Sequence, residues 1–311
     1  MPITITGGAT LSGGASIGAG SSPTPSPTPV QGSNFGYQSG GDPSSNTIQK
    51  YSYSSDGNAT DVGDLSDFAG GLAGHSSATD GYATGGSSKL INKFSFASGG
   101  NASNIGSSLL SQRAGQSSIN TGYGYLSGGQ PASTNVSRFS FSSNGNASNV
   151  GTLSQAREYA IGTNSTTYGY TAGGANNTGA TFYNIIDKFP FASDTDTSTD
   201  VGDLTVARRS AAGNFSEDNG YIAGGRSGGK YNIIEKWSFS SDGNASDVGD
   251  ISTSVEGPAG TSSTVSGYVT AGEGPSSNSN EIQKFPFASD SNASDVGDLI
   301  NSVYFPSGQQ Y

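Results

Sequence analysis

The chain has no cysteine, one histidine, one methionine and one tryptophan. Without cysteine there are no disulfides, no thiolate metal sites and no cysteine nucleophile. With His75 as the single imidazole, neither a multi-histidine zinc site nor an imidazole-based triad is expected. Cations are scarce: 13 Lys and Arg stand against 24 Asp and Glu, a formal net charge of −11. That balance disfavours nucleic acid and anionic membrane surfaces as partners. No apolar run approaches the roughly 20 residues that span a bilayer. The opening Met-Pro-Ile-Thr-Ile-Thr-Gly-Gly has neither a basic nor an apolar leader region, so no signal peptide is expected.

Glycine, by contrast, is abundant: 49 of 311 residues. Glycine costs roughly 1 kcal/mol against alanine inside a helix, so a helical bundle is excluded. No Gly-X-Y period runs through the chain, which excludes collagen. The 15 Tyr and 14 Phe speak against disorder. Their regular spacing predicts many short strands joined by tight turns.

Three motifs recur in fixed order. Gly-Tyr-x-x-Gly-Gly begins at Gly36, Gly81, Gly124, Gly169 and Gly220, with a sixth copy, GYVTAG, at Gly267. An aromatic strand motif follows each: IQKYSY (48–53), INKFSF (91–96), VSRFSF (136–141), IDKFPF (186–191), IEKWSF (234–239) and IQKFPF (282–287). A third motif comes next: NATDVGDL (58–65), NASNIG (101–106), NASNVGTL (146–153), TSTDVGDL (197–204), NASDVGDI (244–251) and NASDVGDL (292–299). In the first, Gly-Gly ends a short strand where the backbone must turn or pack closely. β-Branched and aromatic residues make the second a strand. Ser-Asp-Gly-Asn supplies a turn, and Asp-Val-Gly-Asp-Leu a further strand. A polar segment such as 207–213 leads into the next copy. Four short strands in roughly 46 residues are the size of a propeller blade.

Leu204, Arg208, Gly213, Gly220-Tyr221 and Gly224-Gly225 stand in the order of the Kelch pattern, as do Leu153, Arg157, Gly162 and Gly169-Tyr170. Over residues 35–311 the chain resembles Kelch-repeat proteins. It departs where Ala69 and Val255 replace the Arg, and where Trp237 is the one Trp and is shifted in place. The resemblance implies an all-β, six-bladed Kelch-like β-propeller.

The first copy lacks a leading strand, whereas the last is followed by LINSVYFPSGQQY (299–311). That segment matches 204–216 in length, and Gly308 aligns with Gly213. The C-terminal segment is therefore expected to supply the inner strand of the first blade, removing open edges.

Residues 1–34 stand outside the repeats as an N-terminal arm. ITITGGATLSGGASIGAG is rich in small residues, with Ile3, Ile5, Leu11 and Ile17 to bury; SSPTPSPTPVQG is a linker of polyproline character. An arm followed by a propeller resembles virion proteins of tailed bacteriophages, of marine cyanophage type. That resemblance implies a structural, decoration or tail-fibre protein on the head or tail surface.

Several motifs invite chemistry. The Asp-rich turns 54–64, 240–250 and 289–298 offer hard oxygen ligands that suit Ca²⁺, but their spacing is not that of a calcium loop, and a structural turn is expected. Asn58, Asn101, Asn146, Asn244 and Asn292 head Asn-Ala-Ser/Thr triplets, read here as turn formers. Glu235 and Glu281 precede the Lys of their strands and are expected to pair with Lys236 and Lys284. Arg113, Arg157 and Arg208 are expected to begin the inner strands in a structural role. No catalytic residue, no metal site and no cofactor is expected.

The connections after Gly-Gly vary most, and are longest in the fourth to sixth copies. The fourth adds Phe182 and Tyr183; the fifth adds Arg226, Lys230 and Tyr231. Variable loops on a rigid scaffold tend to carry binding, and rings beside polar groups suit sugars. These five residues are the candidate ligand site. Expected partners are other virion proteins, met through the arm, and a host surface glycan, with a homo-oligomer in the assembly left open. A secreted bacterial adhesion or carbohydrate-binding module, extracellular in place, and a carbohydrate-active enzyme remain alternatives.

Overall fold

The computed structural model describes residues 31–110, 115–119, 122–193 and 196–311. Every regular element among them is a strand, and the strands form six blades. Blade 1 holds β1 (Phe35–Gly41), β2 (Ser45–Ser52) and β3 (Thr60–Asp64). Blade 2 holds β4 (Leu72–Ser76), β5 (Asp80–Gly85), β6 (Leu90–Ser95) and β7 (Ser103–Ser107). Blade 3 holds β8 (Gly115–Ile119), β9 (Tyr123–Ser127), β10 (Ser133–Ser140) and β11 (Ser148–Arg157). Blade 4 holds β12 (Ile161–Asn164), β13 (Tyr168–Ala172) and β14 (Ile185–Pro190). The short β15 (Asp196–Thr197) pairs in parallel with β11 of blade 3, and β16 (Thr199–Asp203) completes blade 4. Blade 5 holds β17 (Ala212–Phe215), β18 (Asn219–Ala223), β19 (Tyr231–Ser238) and β20 (Ser246–Val255). Blade 6 holds β21 (Ala259–Ser262), β22 (Ser266–Thr270), β23 (Glu281–Pro286) and β24 (Ser294–Asp298). In each blade four strands, a to d, run antiparallel from axis to rim.

The missing strand a of blade 1 is β25 (Ser307–Gln310), which pairs antiparallel with β1. Gly308 pairs with Gln38, the residue after Tyr37, and Gly213 pairs with Ile222, the residue after Tyr221. The closing strand thus sits in the register of an interior one, as expected. It pairs the inner edge of β1, which would otherwise stand open.

Glycine lets the six sheets meet at the axis. A Cβ on Gly213 would lie 2.2 Å from the Gly162 carbonyl oxygen, and one on Gly260 would lie 2.2 Å from that of Gly213. The same contact continues from Gly308 to Gly260 at 2.3 Å and from Gly74 to Gly308 at 1.9 Å. Inner strands therefore pack backbone against backbone.

Further out, rings fill the space between blades. The Tyr of each Gly-Tyr lies against the last aromatic of the next blade's strand c. Tyr170 stacks on Phe239 at 4.7 Å and Tyr221 on Phe287 at 4.9 Å between centroids; Tyr268 stacks on Tyr53 at 4.5 Å across the closure. Such pairs add to the burial of large apolar area.

The third motif links blade to blade. The backbone N–H of Ala245 donates to the Asp203 carbonyl at 2.8 Å, while Asn244 Oδ1 accepts from the Asp203 N–H at 3.0 Å. Across the closure Ala59 N–H donates to Asp298 O at 2.8 Å, and Asn58 Oδ1 accepts from Asp298 N–H at 3.0 Å. The triplet asparagines are thus engaged as turn residues that also bind the neighbouring blade. Within the motif Asp295 Oδ1 accepts from Gly297 N–H at 3.1 Å.

Three expectations change. Glu235 does not pair with Lys236: it is fully buried and meets Arg208 at 3.1 Å. Neighbouring residues of a strand point to opposite faces, so Lys236 reaches outward to Asp290 at 2.5 Å. Lys284 meets Asp56 at 2.9 Å, while Glu281 accepts from the Ser252 hydroxyl at 2.9 Å. Nor do Arg157 and Arg208 begin inner strands. Arg157 ends β11 and Arg208 precedes β17, because Tyr159 and Ser210, each with φ of 55°, turn the chain before strand a starts. Arg113 lies outside the described residues. Both described arginines are wholly buried, Arg157 paired with Asp187 and Arg208 with Glu235, in the structural role expected.

Candidate binding face

The b–c loops and the d–a connections open on one face of the ring; the a–b and c–d turns open on the other. On the first face each Gly-Gly at the end of strand b throws the chain outward into its b–c loop. In blade 4, Gly173 and Gly174 have φ of 61° and 106°, a region that favours glycine. The loop returns so that Ala175 bridges Phe182 and the Tyr183 N–H donates to the Gly174 carbonyl at 2.9 Å. Asn176 organises the tip, its Oδ1 accepting from the N–H groups of Ala180 and Thr181, each at 3.2 Å. In blade 5 the return is tighter: Arg226 bridges Lys230, and the Tyr231 N–H donates to the Gly225 carbonyl at 2.8 Å.

The five candidate residues do not form one cluster. Phe182 and Arg226 are joined through two residues of the d–a connections, Arg209 and Glu256. The Arg209 guanidinium lies 4.4 Å from the Tyr159 ring centroid and 5.8 Å from that of Phe182. Glu256, almost fully buried, accepts from Arg226 Nη1 at 2.9 Å and faces Arg209 Nη2 at 3.6 Å. Its hydrogen bond and charge raise the Arg226 pKa. Lys230 meets Glu273 at 3.2 Å and donates to the Gly274 carbonyl at 2.7 Å, linking blade 5 to blade 6. Tyr183 stands apart, its hydroxyl accepting from Gln155 Nε2 at 3.4 Å. The Tyr231 hydroxyl shares a 2.6 Å hydrogen bond with Ser227. All five are half-buried.

Sequence reasoning missed Arg209, Glu256, Glu273 and Tyr159. Glu158, Arg209, Glu256 and Tyr304 occupy one position of their d–a connections, immediately before the turn into strand a. Aligning those connections rather than the b–c loops would have found them.

At the centre of this face the turns into strand a surround a cavity of ≈ 40 Å³, lined by Tyr159, Ser210, Pro258, Phe305 and Pro306 among others. Ligand pockets run to ~300–1,000 Å³, so the axial cavity suits water rather than a sugar. A larger ligand would meet the rim, where rings and ion-paired side chains offer stacking and hydrogen bonds. The Asp-rich turns lie on the other face. Asp56, Asp242 and Asp290 there face Lys284, Lys188 and Lys236 of the preceding blade at 2.9, 3.0 and 2.5 Å. Among the described residues no group of three or more His, Cys, Asp or Glu is placed to hold a metal ion.

No family model matches the chain, and no curated protein matches it.

Proposed function

We propose that the chain is a non-enzymatic virion component of a tailed bacteriophage. It displays a Kelch-type propeller, held on the particle by the N-terminal arm, and meets host surface glycan or a neighbouring virion protein on the face of the b–c loops. The observation that carries this reading is the polarity of the ring. Gln31 Nε2 donates to the carbonyls of Phe215 and Ser263, at 3.0 and 3.3 Å, and the Gly32 N–H donates to the Ser262 carbonyl at 2.8 Å. The chain therefore joins the propeller beside the axis, at the far ends of the inner strands. The variable b–c loops lie on the opposite face. A module tethered at one pole presents the other.

The non-enzymatic part rests on the carboxylates. Asp187, Glu235 and Glu256 are each committed to arginine, which leaves them poor acid–base catalysts. The test has two arms. Removal of residues 1–30 should leave a folded propeller that no longer joins the particle. Changing Tyr183 and Tyr231 together to Ala should reduce adsorption to host cells with an unchanged melting temperature. Normal incorporation of the truncated chain would overturn the tether; full adsorption by the folded double variant would overturn the binding face.

A further inference from the structure

Three of the blade junctions repeat one electrostatic arrangement, and the junction between blades 1 and 2 lacks it. Where blades 4, 5 and 6 meet the blade that follows, the Lys of strand c reaches an Asp in the next c–d turn: Lys188 to Asp242 at 3.0 Å, Lys236 to Asp290 at 2.5 Å and Lys284 to Asp56 at 2.9 Å. Lys93 of blade 2 uses a different acid, Asp80 at the start of its own strand b, at 3.3 Å. Lys50 of blade 1 occupies the same place and has neither. The next turn carries Gly99 at the Asp position, fixed by Asn101 and Asn58, which make the same inter-blade bond in their blades. Phe35 stands where blade 2 has Asp80. The Lys50 ammonium instead lies over the Phe35 ring, 3.7 Å from its centroid.

Two cavities meet at Lys50. One, of ≈ 330 Å³, is lined by Phe35, Lys50, Ser52, Asn58 and Thr60 among others. The second, of ≈ 260 Å³, is lined by Tyr37, Lys50, Phe96, Ser98 and Gly99 among others. Both are bounded by Val62 as well. A half-buried cation therefore projects between two open spaces, at a point where three other junctions hold a turn-borne carboxylate.

We propose that the groove between blades 1 and 2 receives an acidic side chain, Asp or Glu, carried on a loop of a partner protein. The partner's carboxylate accepts a charge-assisted hydrogen bond from Lys50, as Asp56 does from Lys284. Hydroxyls of Ser52, Thr60 and Ser98 line the approach for the loop backbone. The site lies on the face opposite the b–c loops and is independent of any ligand bound there. With a net charge of −11, the chain offers an acidic partner no long-range attraction, so recognition is confined to this groove.

The test uses the protein's own turn as probe. A capped Ser-Asp-Gly-Asn-Ala peptide is titrated into the full chain while the Lys50 side chain and Gly99 amide are followed by nuclear magnetic resonance. Saturable shifts at both are expected, with binding weaker by about tenfold or more for the Ser-Asn-Gly-Asn-Ala peptide, the scale of one charge-assisted hydrogen bond. Gly99→Asp should abolish the shifts by filling the position from within. Asp56 and Asp242 hold φ of 39° and 52° at the equivalent point, and Gly99 has φ of 62°, so the variant is expected to fold. Lys50→Met gives a second loss-of-binding variant. No shifts, or equal binding of both peptides, would overturn the proposal. So would tighter binding of galacturonate than of the peptide, which would make the groove a sugar site. Self-association of the wild type that Gly99→Asp reverses would assign the groove to a second copy and also overturn it.

Discussion

At the scale of single residues, Arg208 and Glu235 decide most. Burial lowers the Arg208 pKa and the Glu235 charge opposes that shift, so the guanidinium stays paired inside blade 5. Its Nη1 also donates to the Gly224 carbonyl at 2.9 Å. Breaking a buried pair leaves an uncompensated charge and costs about 3–5 kcal/mol. Arg208→Val is expected to lose that much in denaturant unfolding. Blades 1 and 6 show the repair, because they carry Val303 with Gln49 and Val255 with Gln283. Gln49 and Gln283 still accept a backbone N–H, from Ile300 at 2.5 Å and Ser252 at 2.6 Å, as Glu235 does from Thr205 at 3.3 Å. Arg208→Val with Glu235→Gln should therefore recover most of the loss. A double variant as unstable as the single one would show that blade 5 needs the ion pair itself. The structural role of the arginine was legible in the Leu-Arg-Gly order of the repeat. Its partner was not, because Lys236 is adjacent to Glu235 in sequence while the strand sends the two side chains to opposite faces.

Among the elements, the inner strands and the c–d turns carry the ring, and they were legible to different degrees. The third motif announces a turn and a strand through Asp, Gly and Asn. Its second task, binding the preceding blade through Asn244 or Asn292, depends on a register between sheets that no single repeat encodes. The b–c loops were legible as variable, but their wiring was not. Glu256, which joins Arg226 to Arg209, comes from a d–a connection 30 residues away from Arg226. The inner strands yield the sharper prediction. Gly213 lies in extended chain, so its need for glycine comes from contact: an added methyl would sit 2.2 Å from the Gly162 oxygen and 3.0 Å from the Ile161 side chain. Gly228, in the blade 5 loop, meets nothing within 4 Å of such a methyl. Gly213→Ala should cost about 1–3 kcal/mol or more by overpacking, and Gly228→Ala should stay within about 0.5 kcal/mol. Equal melting temperatures for the two variants would refute close packing at the axis.

The whole molecule is a closed ring, and closure was the most legible feature, because the missing first strand and the surplus last one have one length and one glycine position. Removing residues 300–311 takes away β25 and the Ile300 bond to Gln49, exposing the inner edge of β1; no cooperative unfolding transition is expected from that truncation by calorimetry. A transition matching the intact chain would rule out strand closure as the source of stability. The ring of tyrosines between blades yields a prediction about pH. Burial raises the phenol pKa values of Tyr37, Tyr51, Tyr53, Tyr82, Tyr170, Tyr221 and Tyr268 above 10.0, that of Tyr37 to about 12. A raised acid pKa means that the folded state favours the neutral phenol. Its contribution is complete below pH 10, the value for the unfolded chain, and is lost as pH rises through the folded values. Lys284, whose pKa is also raised, loses its charge in the same direction. The melting temperature should therefore stay level from neutral pH to about pH 9 and fall steeply above 10. Because the seven rings lie between blades, their ionisation and loss of the fold should occur in one step. Tyrosinate absorbance and circular dichroism, followed together through an alkaline titration, should change together. Ionisation of these rings near pH 10 in a protein that keeps its strands would show that the inter-blade space admits water, and the stacking would then be ornament rather than support.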